Sequence, residues 1–497
     1  MIKILLYIGT GIILQLSYIF SEERNIILFV TDDQSPDAGC YGNKKIKMPN
    51  LDNLAADGTL FEYAFATTAS CSASRSVILT GLHNHLNGQF GHQHNYHKFS
   101  SFQNIQSLPV LLNRHGYRTA RIGKFHVAPE PVYHFEKKIK GNSRNAVQMA
   151  AQCKEFISSK DKRPFFLYFA TSDPHRGGGT DKGSPHKPDL FGNRPNKGSH
   201  QGVNEVFYKP EEVEVPDFLP DTPTCRAELA QYYQSCSRID QGLGELVKIL
   251  KETGKYDKTL VIFTSDHGIA MPGGKTTVYE PGLRVPFVVR NPYIKERGLI
   301  NDALISHIDI TPSILNFANA YDTNTRGPLK ELVNFEDSEK RAPEENRGKK
   351  IITFHGRSWI PLLNQKETTG WDQIGASHTF HEIQMYYPMR VVRDRNYKLI
   401  WNIAYPLPFP FASDLWAAPT WQAQYRQGPN TEYGKRTVQE YIQRPEFELF
   451  DMRKDPNETK NLATEPKHYK LLETYKEKLR QMQKRTNDPW FIKWKYE

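Results

Sequence analysis

The chain has 497 residues, of which 38% are hydrophobic and 24% charged, and it carries a formal net charge of +10. That length calls for more than one core, and the composition excludes extended disorder, a collagen repeat and a long coiled coil. The basic balance suits an anionic partner; nucleic acid, an anionic membrane and a sulfated glycan all meet that requirement.

The first 21 residues, MIKILLYIGTGIILQLSYIFS, place a basic Lys3 before an apolar run that ends in small or polar residues near Ser21. This is a leader pattern, and residues 1–21 are expected to be a cleaved signal peptide. A retained single-pass anchor is the other reading of the run, but core-like sequence begins almost at once, at Asn25. No cysteine follows it to carry a lipid, and no later stretch is apolar enough for stable membrane insertion. Five cysteines (Cys40, Cys71, Cys153, Cys225, Cys236) cannot all pair, so at least one thiol is free.

Three continuous apolar runs read as buried parallel strands: 25–31 (NIILFVT), 165–170 (FFLYFA) and 259–264 (TLVIFT). Each is followed directly by acids or histidine: Asp32-Asp33, then SDPH, then SDHG. Open parallel sheets bind ligands beyond the carboxyl ends of their strands, so three strands deliver Asp and His to one edge. Helical spacing covers 226–253, ending at Gly254, and 106–115, before the strand-like YRTARIG. Residues 176–210 and 322–350 read as polar loops. From about residue 370 the character changes: 389–403 and 447–452 predict antiparallel strands, and 465–486 an amphipathic closing helix. The expected organisation is an α/β domain over 22–368 with a mostly parallel sheet, then a smaller α+β domain over 369–497 with an antiparallel sheet.

Cys71-Ser72-Ala73-Ser74-Arg75, continuing SVILTG, opens a predicted helix, and a helix N-terminus favours an anion. By itself the motif also fits a structural cysteine beside a helix cap. Asp32, Asp33 and Asp266, with His267 alongside, are hard donors at strand ends that suit calcium or magnesium. Lys124 and His126 in GKFH, His175 in SDPHR and Lys275 in PGGKTT supply cations and proton carriers for an anionic reaction. The run His83, His85, His92, His94 and His97 lacks the spacing of a regular zinc site and reads as a loop lining the pocket.

The Cys71–Arg75 motif resembles the C-x-(P/A)-x-R signature of the type I, formylglycine-dependent sulfatases. GLHNHLNGQFGH, SLPVLLNRHGYRTARIGKFHVAPEPVYHF, FHEIQMYYPMR and NDPW are similar to the N-sulfoglucosamine sulfohydrolase (sulfamidase) branch, over Asn25 to about Trp490. The resemblance implies an alkaline-phosphatase-like sandwich and a formylglycine made from Cys71 by a maturase. It implies one calcium ion held by Asp32, Asp33, Cys71, Asp266 and His267. It makes Arg75 the holder of the modified side chain, Lys124 and Lys275 grips on sulfate, His126 the base, and His175 the group beside the leaving atom. His381, Glu382 and Arg390 would reach the saccharide from the smaller domain. Lys275 stands where the nearest sulfamidases carry arginine, and the 176–210 loop departs from theirs; both touch substrate recognition. The implied substrate is a sulfated saccharide, of glycosaminoglycan or marine ulvan type, and the implied location is outside the cytoplasm, in a bacterial periplasm. A phosphodiesterase or phosphonate monoester hydrolase of the same superfamily is the alternative. A nucleic-acid partner is not expected, since no aromatic-basic platform or recognition fold is present.

Overall fold

The computed structural model describes residues 23–176, 191–194, 197–334, 340 and 353–496. The leader expected over 1–21 lies outside these residues, as do parts of the 176–210 and 322–350 loops. Among the described residues no helix is long and apolar enough to cross a membrane.

The first sheet has eight strands: β1 (Asn25–Thr31), β2 (Thr59–Phe65), β3 (Arg118–Gly123), β4 (Lys137–Ile139), β5 (Phe165–Ala170), β6 (Thr259–Ser265), β7 (Phe287–Arg290) and β8 (Leu299–Ser306). They lie in the order β4-β3-β5-β1-β6-β7-β2-β8, and only β7 runs against its neighbours. Every residue of β1 is buried because both faces are covered. Ile27 and Phe29 join the core that includes helices Ala146–Ile157 and Pro223–Glu252. Ile26, Leu28 and Val30 join the core that includes Leu108–Arg114 and Ile310–Phe317. Phe29 is stacked between Phe169 and Phe263 at centroid distances of 4.6 and 5.2 Å, which locks β5, β1 and β6 together.

A second sheet follows, with β9 (Gln373–His378), β10 (Met389–Asp394), β11 (Tyr397–Asn402) and β12 (Phe447–Asp451) each antiparallel to the next. Alternation gives it two apolar faces. Ile374, Met389, Val391, Ile400 and Phe450 merge with the core of the first sheet. Val392, Leu399 and Leu449 pack against Leu472, Tyr475, Leu479 and Met482, in the helix Tyr469–Arg485. The architecture is thus an α/β sandwich with a smaller C-terminal domain built on an antiparallel sheet.

Arg390 departs from its expected place beside a saccharide. It is 1% exposed, with Nε 2.6 Å and Nη2 3.1 Å from the two carboxylate oxygens of Asp488, and its guanidinium lies 4.5 Å from the Trp490 ring centroid. Its remaining bonds go to the carbonyls of His378 and Met389. This bidentate pair ties β10 to the end of the closing helix and commits four of the five Arg390 N–H donors within the protein. Arg390→Ala would strand a buried Asp488 charge, and it should lower the unfolding free energy by about 3–5 kcal/mol. The urea midpoint of the variant against the parent chain measures this.

Candidate active site

Four adjacent parallel strands end on one edge of the sheet. β3 delivers Lys124 and His126, β5 delivers His175, β1 delivers Asp32 and Asp33, and β6 delivers Asp266 and His267. The helix Cys71–Thr80 begins at the same edge, behind Ser70, and all of its residues are buried. The loop carrying Lys275 is fastened there by Thr276, whose N–H donates to the Ala69 carbonyl at 2.8 Å. Asp33, His126 and Thr276 have φ of 62°, 63° and 66°. Such left-handed backbone at non-glycine residues costs roughly 1–3 kcal/mol each and persists only where the surroundings impose it.

Arg75, one turn beyond Cys71, organises the acids. Nε donates to Asp266 at 3.0 Å and Nη2 to Asp32 at 2.9 Å, while Nη1 reaches Tyr168 and the Lys124 carbonyl. Its donors therefore go to carboxylates, tyrosine and backbone carbonyls, so it positions the acids; the sequence reading had it holding the modified side chain. Lys124 Nζ lies 2.5 Å from Asp32. Burial opposes ionisation of Asp32, yet Lys124 and Arg75 hold its carboxyl well below the usual range. Burial, with Asp32 adding, pushes Asp266 up to about 6 against the pull of Arg75.

The residues fit a divalent cation. His267 Nδ1 is 3.0 Å from the Gly268 carbonyl, the partner that its proton takes in the metal-binding tautomer. Nε2 is then a bare lone pair, 3.0 Å from Asp33 Oδ1 and 3.4 Å from Cys71 Sγ. In that tautomer Nε2 and the Asp33 carboxylate offer a cation two donors. Ligand atoms of Asp33, Cys71, Asp266 and His267 all lie within 4.8 Å of one another. Gly268 is required beside them, because a Cβ there would meet the Pro281 carbonyl at 1.9 Å.

Lys275 is 1% exposed and its Nζ is a meeting point: Asp414 at 2.7 Å, His175 Nε2 at 3.0 Å and Asp33 at 3.1 Å. Burial alone would discharge it, but Asp33 and Asp414 outweigh burial and hold it well above the ordinary lysine range. Burial and Lys275 depress His175 well below the usual histidine value, so it is neutral near pH 7. His126, bonded to His94, is depressed in the same way by burial and Lys124.

Above these groups is a cavity of about 520 Å³. Asp32, Lys124, His126, Arg144, His175 and Lys275 line it from the first domain, and His381, Glu382, Ser413 and Asp414 from the second. His381 Nδ1 lies 2.9 Å from Ser70 Oγ and its Nε2 2.9 Å from His92 Nε2, coupling the C-terminal domain to the N-cap of the Cys71 helix. The histidine run divides: His92 and His94 line the cavity, whereas His83 faces a different one. Asp414 and Arg144 were missed by sequence reasoning. Asp414 sits in a stretch without a motif, and its one signal is that Ser413–Trp416 is a short helix beginning with Ser-Asp. All five cysteines are free thiols.

Strand-end acids, a cysteine opening a helix among them and flanking cations define an alkaline-phosphatase-like hydrolase of α/β type. The sequence model of the sulfatase family matches residues 24–320. Human N-sulphoglucosamine sulphohydrolase is 37% identical over 492 residues, 97% of this chain and 94% of that protein. An ulvan-active sulfatase of Formosa agariphila is 28% identical, over 93% of this chain and 80% of its own length. The chain belongs to the sulfatase family. In fold it also matches a solved complex with D-glucosamine-2-N,6-O-disulfate, described as that protein's substrate (TM-score 0.62, 20% identity, 94% of this chain and 98% of that one). The phosphonate monoester hydrolase of Agrobacterium radiobacter shares the fold too (TM-score 0.61, 18% identity, 93% and 96%).

If the His267 lone pair and its acidic neighbours hold a cation, adding one to chelator-stripped protein should raise its thermal midpoint. At a hundredfold excess over Kd the gain is about 2.7 kcal/mol. His267→Ala should lose most of that gain, and elemental analysis should find one ion per chain in the parent protein only.

Proposed function

We propose that this chain is a formylglycine-dependent sulfohydrolase that releases sulfate from the terminal residue of a sulfated saccharide. The observation that carries the reading is Cys71: a fully buried residue opening a helix, one contact from the candidate cation ligands and beside Lys124 and Lys275. Burial, with Asp32 and Asp33 adding, pushes its thiol well above the normal cysteine range. A thiol held protonated is a poor nucleophile, so the surroundings do not serve cysteine chemistry. They serve an oxygen in its place, and the sulfur of Cys71 stands for that oxygen here. A hydrated aldehyde made from Cys71 by a maturase would supply one hydroxyl for attack on sulfur and a second through which sulfate is later expelled. A cation held by Asp32, Asp33, Asp266 and His267, with calcium the family's usual choice, would supply charge neutralisation and orientation.

The chain's own residues do the remainder. Lys124 and Lys275 meet sulfate oxygens as negative charge builds on them. His175, 3.0 Å from Lys275, lies on the leaving-group side, where the pair would hand a proton to the departing nitrogen or oxygen. His126, neutral and backed by His94, accepts a proton on the opposite side. His381, Glu382 and Ser413 would meet the sugar, and Ser413 already donates to Glu382 at 2.8 Å. Walls from two domains favour a chain end over the middle of a polymer.

The similarity to the human sulphohydrolase over nearly the whole chain favours N-sulfoglucosamine at a non-reducing end. A second reading, an O-sulfatase of ulvan-type oligosaccharides, rests on the Formosa relative and on Lys275. Lysine is a compact point charge and arginine a planar fork, so this site is shaped for a different grip from that of the nearest sulfamidases. Export to a bacterial periplasm is part of the proposal and rests on the leader pattern of residues 1–21.

Sulfate release from N-sulfoglucosamine and from ulvan oligosaccharides, measured side by side, separates the two substrate readings. Release from neither, with turnover of a phosphonate monoester, would sink both. Peptide mass spectrometry should find the Cys71 thiol converted in active protein, and Cys71→Ala should abolish turnover while the fold persists. Lys275→Met should cost about 10²–10³ in kcat/KM, the scale for one oxyanion-stabilising donor.

A further inference from the structure

A second cavity, of about 360 Å³, lies between the first domain and the C-terminal helix Tyr469–Arg485. Arg326, Arg357 and Arg485 all line it, together with His83 and His355. Arg357 stacks its guanidinium 3.7 Å from the Trp371 ring centroid and donates to the Gly370 carbonyl. Arg326 donates only to the His355 carbonyl, at 3.4 Å. The Arg485 side chain makes no hydrogen bond or ion pair among the described residues.

Two carboxylates, Asp309 and Asp372, line the same cavity and also accept other hydrogen bonds. Asp309 accepts the backbone N–H groups of Ser306 and Arg357 at 2.8 Å each. Asp372 holds Arg395 and accepts the Gly370 N–H. Three guanidinium groups thus share one cavity with two carboxylates, and among the described residues none of the three is ion-paired. Like charges gathered in this way repel: burial, with the charges of Arg326 and Arg485 adding, depresses Arg357 below the ordinary arginine value against the pull of Asp309 and Asp372.

Two histidines line the same space. His355 Nδ1 accepts the His83 N–H at 3.1 Å, so its neutral ring carries the proton on Nε2. His83 is 4% exposed, and its Nδ1 has no partner among the described residues. The Cys71 helix ends close by, where the Gly81 carbonyl accepts the His355 N–H. The negative pole of a helix end amounts to about half a charge, too little to offset the one positive charge by which three guanidinium groups exceed Asp309 and Asp372.

We propose that this inter-domain cavity is a second anion-binding site, taking a sulfate or carboxylate group of an acidic saccharide apart from the cavity above Cys71. Arginine forks match such planar or tetrahedral oxyanions, and exposed Arg326 and Arg485 leave the cavity open to a bulky carrier. The choice of a saccharide as carrier rests on the function proposed above; the anion chemistry does not. An acidic chain held here would be retained at the protein between turnovers.

The test is calorimetric titration of the full chain with inorganic sulfate, a sulfated hexasaccharide and, as control, neutral maltohexaose. The parent protein should show two classes of site for the sulfated hexasaccharide. Arg326→Ala/Arg485→Ala should weaken one class about tenfold or more, Arg326→Lys/Arg485→Lys should weaken it less because charge is kept while the fork is lost, and maltohexaose should bind neither. Hydrolysis of a small monosaccharide sulfate should stay within about twofold in both variants, which separates failure here from failure of the catalytic reading. A single class of site in the parent, or unchanged titration of the alanine variant, would overturn the proposal. Inorganic sulfate filling the second class while the hexasaccharide does not would overturn the saccharide assignment.

Discussion

The pairing of Arg75 with Asp32 and Asp266 is the constraint on which the rest of the site hangs. All three side chains are fully buried, and the two carboxylates come from the ends of adjacent strands while the guanidinium comes from the helix that Cys71 opens. Removing Arg75 would leave the buried Asp266 without its cation, which costs several kcal/mol. The clamp therefore fixes the position of the Cys71 helix relative to the sheet edge. It also keeps two carboxylates close together that would otherwise repel.

Charge balance then organises the surroundings. In the buried cluster four carboxylates, Asp32, Asp33, Asp266 and Asp414, face three side-chain cations, Arg75, Lys124 and Lys275. One negative charge is left over, consistent with the upward push on Asp266. A divalent cation at the His267 lone pair reverses the sign, and the floor of the cavity becomes a place where an anion can rest. The C-terminal domain takes part in this balance, since Asp414 belongs to it and grips Lys275 at 2.7 Å.

Much of this was legible in the chain. The runs 25–31, 165–170 and 259–264 are apolar throughout because helices cover both faces of the sheet, so strand identity and the polar residues at the strand ends could be read together. Motifs that place Asp, His and Lys directly after such strands converge by topology alone. Arg390 and Asp414 show where reading stops. Arg390 is charged, sits in a matching motif and yet is buried in a bidentate pair with Asp488, a residue 98 positions away. Asp414 has no motif and is placed by tertiary packing, 139 positions from the lysine it holds. Neither pairing leaves a periodicity or a spacing in the sequence. The histidine run shows the same limit, since residues as close as His83 and His92 end in different cavities.

The complete burial of Cys71 also sets an order of events during biosynthesis. Once the helix Cys71–Thr80 is seated, no enzyme can reach that side chain without unfolding the sheet edge around it. Any modification of the thiol therefore belongs to the interval before docking, while the segment is still an extended substrate. The closing partner Asp414 leaves the ribosome more than three hundred residues after Cys71, so the nascent chain passes through a long window in which the cysteine is accessible and the cavity above it is unfinished. The late arrival of the second domain thus acts as a clock, and a chain that folds ahead of it would seal an unmodified thiol inside.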